Sequence, residues 1–410
     1  MAINPKKSGR NLESHAHAPI PFSRRLNWGT GINPLARLLA AKKQSGTPIL
    51  DLTVSNPTAV GLDAPPVDIL NALAQPAALQ YEPDPAGLIT TRQAVCDYYR
   101  QTRGVEFDPG RIVLTCSTSE AYAHLFRLLA NPGDQVLIPR PSYPLFTFLA
   151  ALESVEPLPY DLLYDGAWAV DLESVRRVMT PRSRAVVIVS PNNPTGSYLK
   201  EKERQKLMEL CRAHGLAIIV DEVFLDYRLS VARDAVSTAI GSDTALTFTL
   251  SGLSKITGLP QMKLAWVAVS GPGPERRDAL RNLEVIADTF LSVSTPIQMA
   301  TPTILEYRQA AQDLILARLR ENLAQLNQDL DDAPVRVLRV EGGWSAVLKL
   351  PVIRTDEEWA LELLRYQDVL FHPGHFFEFQ EEGHLVCSLL TPPATLRDGI
   401  ARMCLHLAES

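Results

Sequence analysis

The sequence has few cysteines, no long apolar run and no cluster of basic residues. Its five cysteines are scattered without a Cys-x-x-Cys pair, which predicts neither a disulfide framework nor a metal site. No apolar run approaches the length of a membrane span, and no Lys/Arg run exceeds two residues in a chain of net charge −6. These absences predict that neither a membrane nor a nucleic acid is a partner.

The first 20 residues contain basic side chains but no apolar core, so we expect no secretory signal and a cytoplasmic location. The chain has 410 residues, of which 46% are hydrophobic and 21% charged, and can therefore bury a large core. We predict an N-terminal arm with part of a small domain at 1–47, a large domain at 48–298 and a small C-terminal domain at 299–410.

Apolar segments typical of buried strands alternate with helix-like segments from about residue 105 onward. This alternation predicts an α/β domain around a mainly parallel sheet. After about residue 300, a long helical segment leads into further strands, which indicates a smaller α+β domain. The predicted strands of the larger domain are 111–115, 134–139, 184–190, 216–221, 244–251 and 263–270.

Polar residues follow four of these strands, at the edge where parallel α/β sheets bind their ligands. Ser117 and Thr118 open a helix after the first strand, and such a helix start can bind a phosphate. Asn193 lies in the turn "PNNPTG", Asp221 ends an apolar strand, and Lys255 follows "TFTLS". Each residue alone has an ordinary explanation as a cap, a turn residue or an exposed lysine. Their occurrence in order, at four strand ends, predicts one common site.

This set of groups is the one that pyridoxal phosphate chemistry requires. A lysine forms a Schiff base with the cofactor, a carboxylate keeps the pyridine nitrogen protonated, and a helix N-terminus binds the phosphate. A lysine at the end of a buried strand loses hydration, which lowers the pKa of its amine. The sequence therefore predicts a pyridoxal 5'-phosphate site at this sheet edge.

The motifs "SPNNPTG", "VDEVF" and "SGLSKITGLPQMKLAW", supported by "YEPDPAG" and "RPSYP", resemble those of the class I/II aminotransferases, which are fold-type I pyridoxal-phosphate enzymes. The resemblance spans about 48–400. It implies an aspartate aminotransferase-like large domain, with a mainly parallel seven-stranded sheet flanked by helices, and a smaller α+β domain. It also implies a homodimer with shared active sites that transfers an amino group between an amino acid and a 2-oxo acid through a Lys255 Schiff base.

The resemblance assigns a role to each matched residue. Lys255 would also be the base that moves the proton, and Asp221 would pair with the pyridine nitrogen. Asn193 would donate to the phenolic oxygen of the cofactor, and Tyr143 would stack on its ring. The implied phosphate ligands are Ser117, Thr118, Lys263 and, from the neighbouring subunit, Tyr81.

Three positions depart from the family pattern. Phe224 replaces a tyrosine that donates to the phenolic oxygen, and Tyr227 or Tyr198 could supply that hydroxyl instead. Lys263 replaces an arginine, which keeps the charge but loses the bidentate geometry. Val386 stands where the family has the arginine that binds the substrate α-carboxylate. The candidates to replace that arginine are Arg24, Arg25, His372 and His375, and Asn56 could add a neutral donor.

Two other functions stay open beside transamination. One is a pyridoxal-phosphate lyase, decarboxylase or oxidase acting on an unusual amino acid or amine, in keeping with Val386. The other is a non-catalytic ligand-sensing domain, although no helix-turn-helix or basic region precedes residue 48. Without the carboxylate-binding arginine we expect common α-amino acids such as aspartate to be poor donors and a larger or less usual amine to be preferred. The donor and the acceptor themselves are not predicted.

Motifs for other ligands do not fit. The lysine of "SGLSKITG" is in the wrong place for a P-loop, and neither G-x-G run has the setting of a dinucleotide site. The two histidines of "HPGH" (372–375) flank a Pro-Gly turn with no third ligand, so we predict no metal there.

Overall fold

The computed structural model describes residues 20, 22–26, 31, 33–62, 67–230, 234–291 and 293–409. Most of the predicted N-terminal arm before residue 33 lies outside the described residues. The helices in the described part are α1 (Pro34–Gln44), α2 (Val67–Leu73), α3 (Ile89–Arg103), α4 (Thr118–Leu129), α5 (Leu145–Leu152), α6 (Leu172–Val178), α7 (Glu201–His214), α8 (Leu253–Ile256), α9 (Gly273–Phe290), α10 (Thr295–Glu306), α11 (Arg308–Asp329), α12 (Asp356–Gln367) and α13 (Pro393–Ala408). The strands there are β1 (Leu50–Asp51), β2 (Ile112–Thr115), β3 (Gln135–Arg140), β4 (Glu156–Tyr164), β5 (Trp168–Val170), β6 (Ser183–Val189), β7 (Ala217–Asp221), β8 (Thr247–Gly252), β9 (Ala265–Ser270), β10 (Arg336–Val337), β11 (Ser345–Lys349), β12 (Val369–Leu370), β13 (His372–Pro373) and β14 (His384–Ser388).

The larger sheet has the strand order β2-β9-β8-β7-β6-β3-β4-β5 among the described residues. Neighbouring strands from β8 to β4 are parallel, whereas β9 is antiparallel to both β2 and β8. The predicted α/β class and mainly parallel sheet are therefore confirmed. The sheet has one strand more than the seven implied, because the short strand β5 pairs antiparallel with the end of β4.

Strand β4 was not predicted, and its two prolines explain why. Pro157 and Pro159 pair with β3, at a part of β4 that has no second neighbour because β5 pairs only with residues 162–164. Proline lacks the N–H group that a second neighbour would need, so it is tolerated at such an edge. A sequence pattern shows the prolines but not the missing neighbour.

Both faces of the larger sheet are covered by helices. Along β6, Val187 packs into a cluster with α4, α5 and α9, while Val186 packs into another cluster with α6 and α7. Ile219 and Ile218 of β7 divide between the two clusters in the same way. This burial on two faces explains the continuous apolar strands and leaves the strand ends as the place for polar groups.

A second sheet has the order β10-β11-β14-β13 with antiparallel pairing, and the short strands β1 and β12 pair in parallel. The long helical segment is divided at Tyr307 into α10 and α11. The antiparallel sheet with its helices confirms the smaller α+β part of the predicted fold. The domain boundaries after residues 47 and 298 stay predictions. In the described part of the chain, no helix is long and apolar enough to cross a membrane.

Candidate active site

A cavity of about 490 Å³ lies at the carboxyl ends of the parallel strands and also reaches the second sheet. Its volume is in the range of small-molecule sites. Seven of the eight predicted site residues line it, namely Ser117, Thr118, Tyr143, Asn193, Asp221, Lys255 and Lys263. The eighth, Tyr81, is outside the lining, with 74% of its surface exposed.

Lys255 lies in the single turn of α8, directly after β8. Gly252 brings this turn close to β9, since a Cβ atom there would lie 2.8 Å from the Cβ of Ala265. The Nζ atom of Lys255 is 4.8 Å from the ring centre of Trp344 and 5.5 Å from that of Phe224. Burial lowers the pKa of the amine to about 8, against the opposing effect of the Asp221 charge. The amine is therefore more easily deprotonated near neutral pH than an exposed lysine.

Asp221 ends β7 and is buried at the base of the cavity. Its Oδ1 atom accepts a hydrogen bond from the Val223 N–H at 3.1 Å, and its Oδ2 atom accepts one from the Tyr122 hydroxyl at 3.2 Å. Burial raises the pKa of the carboxyl to about 6, while these two bonds and the Lys255 charge lower it. The carboxylate can therefore be ionised at neutral pH and hold a proton on a ligand nitrogen.

The N-terminus of α4 forms one end of the cavity. Ser117 is the cap, and its hydroxyl oxygen accepts from the Glu120 N–H at 3.1 Å, which leaves the hydroxyl proton free to donate. Thr118 and Ser119 begin the helix, where N–H groups have no partner within the helix. Lys263 lines the same cavity and adopts a left-handed conformation with φ 52° and ψ 52°. Hydroxyls, N–H groups and a cation together suit a phosphate.

A network around the buried Asn192 positions Asn193 and Tyr143. The Asn192 Nδ2 atom donates to the Pro141 oxygen at 3.0 Å and to the Thr195 hydroxyl at 2.9 Å, while its Oδ1 atom accepts from the Ser142 hydroxyl at 2.9 Å. The network joins the "PSYP" and "PNNPTG" segments. Of the two adjacent amides, Asn192 is therefore structural, and only Asn193 lines the cavity.

Phe224 lines the cavity, and neither tyrosine proposed as its substitute does. The Tyr227 hydroxyl donates to the backbone oxygen of Lys255, and the Tyr198 hydroxyl donates to that of Leu225 at 3.1 Å. Because both hydroxyl protons are used elsewhere, neither tyrosine replaces the hydroxyl that is missing at Phe224.

Val386 lies in β14, opposite His372 of β13 and Val347 of β11. Of the four candidates to replace an arginine at this position and the additional donor Asn56, only His372 lines the cavity. Arg24 and His375 are exposed, the Arg25 Nη1 atom donates to the Leu152 oxygen at 3.5 Å, and Asn56 caps a short helix. Burial lowers the pKa of His372, although the charge of Asp51 opposes the effect, so the imidazole is neutral at pH 7.

Sequence reasoning missed three residues that support the site. Tyr122 donates to Asp221, Ser345 donates to the Asn193 Oδ1 atom at 3.4 Å, and Trp344 faces the Lys255 amine. Tyr122 lies one turn after the helix start in "STSEAY", which is the only local signal for it. Ser345 begins β11 of the second sheet and Trp344 directly precedes that strand. They lie about 150 and 90 residues away from their partners along the chain.

The donor set of the cavity fits pyridoxal phosphate. A lysine, a buried carboxylate and a phosphate-type helix N-terminus line one cavity of suitable size. In the described part of the chain, no group of three or more His, Cys, Asp or Glu side chains is arranged to hold a metal ion.

Comparison with known proteins agrees with this geometry. The model of the aminotransferase class I and II family matches residues 47–402. Glutamate-pyruvate aminotransferase AlaA of Escherichia coli K12 is 28% identical over 359 residues, which cover 86% of this chain and 88% of that protein. Alanine aminotransferase of Mycobacterium tuberculosis is 30% identical over 363 residues, covering 86% of this chain and 84% of that protein. The solved alanine aminotransferase from Pyrococcus furiosus has the same fold, with a TM-score of 0.86 at 23% identity over 95% of this chain and all of that one. The chain therefore belongs to the class I and II aminotransferase family.

Proposed function

We propose that this aminotransferase binds pyridoxal 5'-phosphate through Lys255 and transfers an amino group between an amino acid and a 2-oxo acid. The observation that supports the proposal most is the placement of the Lys255 amine and the buried Asp221 carboxylate in one cavity with the N-terminus of α4. The family match and the names of the relatives do not favour the lyase, decarboxylase or oxidase alternative, nor a non-catalytic sensing domain.

Pyridoxal phosphate, when bound, withdraws electrons from the bonds of the substrate α-carbon. Asp221 holds the proton on the ring nitrogen, which requires the carboxylate to be ionised. Ser117, Thr118 and Lys263 bind the phosphate, and Asn193 donates to the phenolic oxygen. The Lys255 amine, with its lowered pKa, takes the proton from the substrate α-carbon as a general base. The rings of Phe224 and Trp344 shield this amine from water.

A half-reaction tests the proposal. The protein loaded with pyridoxal phosphate is mixed with an amino donor in the absence of an acceptor. We expect pyridoxamine phosphate and a stoichiometric amount of 2-oxo acid. Loss of carbon dioxide or of a side-chain fragment without pyridoxamine phosphate would contradict transamination. Lys255→Ala should retain cofactor binding but form no oxo acid.

We infer further that two chains share each active site, in a homodimer. Tyr81 is highly exposed and outside the cavity of its own chain, which supports a role in the site of a neighbouring chain. Mixed Lys255→Ala and Tyr81→Ala subunits should regain activity, because one site of each hybrid has both residues intact. Random mixing of equal amounts makes about half of the dimers hybrids, each with one intact site, so about a quarter of all sites should regain activity. A fully active monomer at micromolar concentration would contradict the inference. No membrane or nucleic-acid partner is proposed.

A further inference from the structure

His372 brings an imidazole into the cavity beside Val386. The two residues are directly opposite each other in the antiparallel pair of β13 and β14, which places their side chains next to each other on one face of the second sheet. Both residues line the cavity. Because Val386 stands where the family has the arginine for the substrate α-carboxylate, the imidazole lies beside the place of that carboxylate.

The imidazole is half-buried and has no hydrogen-bond partner among the described residues. Its ring centre is 5.9 Å from that of Phe377 and 6.0 Å from that of Phe376. Asp51 acts on it through its charge, while the Asp51 Oδ1 atom accepts from the N–H and the hydroxyl of Thr53 at 2.9 and 2.6 Å. An N–H group with such apolar neighbours gains much from a bound acceptor.

The charge of a bound carboxylate suits this imidazole. Burial lowers the pKa of His372, and the negative charge of Asp51 opposes that effect. A carboxylate at hydrogen-bond distance acts in the same direction as Asp51, so its binding favours the protonated ring. The imidazole lacks the bidentate geometry of a guanidinium, but it offers an N–H donor that can become cationic.

We infer that the His372 imidazole binds the α-carboxylate of the amino donor, in place of the arginine that Val386 replaces. This role rests on the proposed function, in which Lys255 and Lys263 bind the cofactor. Side chains from a neighbouring chain do not alter the position of His372 beside Val386, because β13 and β14 belong to one chain. The ligand class is an amino acid with a free α-carboxylate, and a carboxamide at that place should bind less well.

Two ligands that do not react further test this role by binding alone. 2-Aminoisobutyrate and its amide have almost the same shape but differ in charge, and neither has an α-hydrogen to transfer. Each is titrated into the pyridoxal-phosphate-loaded protein at pH 8, and the change in cofactor absorbance gives the dissociation constant. His372→Phe should weaken binding of the carboxylate about tenfold and of the amide about threefold or less, because a hydrogen bond to a charged group is the stronger one.

Two further variants serve as controls. His375→Phe changes a histidine that is exposed and outside the cavity lining, so both dissociation constants should stay as in the wild type. His372→Gln keeps an N–H donor and should recover part of the affinity for the carboxylate. The neighbouring chain's side chains at each site are otherwise the same in all these proteins, so the comparison isolates position 372. Equal losses for carboxylate and amide in His372→Phe, or no loss for either, overturn the inference.

Turnover separates the role of His372 from the proposed function. Each amino acid that forms an oxo acid in the half-reaction above is compared with its own amide, which has the same side chain. The amino-acid-to-amide ratio of kcat/KM should fall severalfold in His372→Phe, and an unchanged ratio overturns the inference while transamination stands. No oxo acid from any donor overturns the proposed function and this inference with it. If His372→Phe does not fold, His372→Ala takes its place.

Discussion

Replacing Tyr122 by phenylalanine tests how the protein keeps Asp221 ionised. The change removes the hydroxyl that donates to Asp221 Oδ2 at 3.2 Å and leaves the Val223 N–H bond at 3.1 Å. The ring of Tyr122 packs against those of Phe126 and Phe146, with centroids 5.9 and 5.2 Å away, and phenylalanine can keep these contacts. The substitution therefore acts mainly on one hydrogen bond.

The expected size follows from the value of such a bond. A hydrogen bond to a charged group contributes about 1.5–3 kcal/mol, and the lower end suits a distance of 3.2 Å. Since about 1.4 kcal/mol corresponds to one pKa unit, the pKa of Asp221 should rise by about one unit. In the cofactor-free protein it would move from about 6 to about 7.

The assay is the dissociation constant of pyridoxal phosphate, measured from pH 5 to 8.5. Protonated Asp221 cannot pair with the protonated ring nitrogen, so affinity should fall as the pH drops through the pKa of Asp221. The fall should begin about one pH unit higher in Tyr122→Phe than in the wild type. The cofactor phosphate also ionises in this pH range, but it does so with both proteins, so its effect cancels when their midpoints are compared.

Tyr160→Phe is the matched control. Tyr160 is equally buried, and its hydroxyl donates to the Val187 backbone oxygen at 2.8 Å, away from Asp221. This variant should keep the wild-type midpoint. Identical midpoints for Tyr122→Phe and the wild type, or an equal shift in Tyr160→Phe, would show that the Tyr122 hydroxyl does not lower the pKa of Asp221.

Three further predictions concern neighbouring residues. Phe224→Tyr should lower the pKa of the protonated Schiff base between Lys255 and the cofactor, because the new hydroxyl donates to the phenolic oxygen. A spectral titration in which this pKa is unchanged or higher argues against the prediction. Lys263→Arg should bind the cofactor about tenfold more tightly, since a guanidinium binds phosphate in a bidentate manner, and equal or weaker binding by equilibrium dialysis counts against this. Burial raises the pKa of Glu222 from 4.5 to about 7, so the folded protein binds more protons than the unfolded one in that window and loses stability as the pH rises through it. Glu222→Gln should reduce this pH-dependent loss in the free energy of unfolding by about 3 kcal/mol, as measured by denaturant unfolding of the cofactor-free protein. If the free energy of unfolding changes with pH in the same way in both proteins, the prediction is wrong.

The fold was predictable where the pattern is local and repeated. The apolar segments at 184–190 and 216–221 form β6 and β7, because burial on both faces gives a continuous hydrophobic run. The sequence pattern did not reveal β4, whose prolines are tolerated only because one side of that part of the strand is open. Whether a neighbour is present depends on the tertiary structure.

The residues of the candidate site were predictable from the ends of the strands. Asn193, Asp221 and Lys255 follow strands whose carboxyl ends meet at one edge, so their place in the sequence determines their neighbourhood. Their hydrogen-bond partners were not predictable. Tyr122 is on a helix and Ser345 is in the second sheet, and no local pattern indicates which distant donor will reach a given acceptor.

The proposed function depends on a covalent bond between Lys255 and the cofactor. The most direct test is to reduce the pyridoxal-phosphate-loaded protein with borohydride, digest it with trypsin and locate the added mass. We expect a phosphopyridoxyl group on Lys255, within a peptide that spans 234–263 because trypsin no longer cleaves after the modified lysine. Label on Lys263 or any other lysine, with Lys255 unmodified, would contradict it.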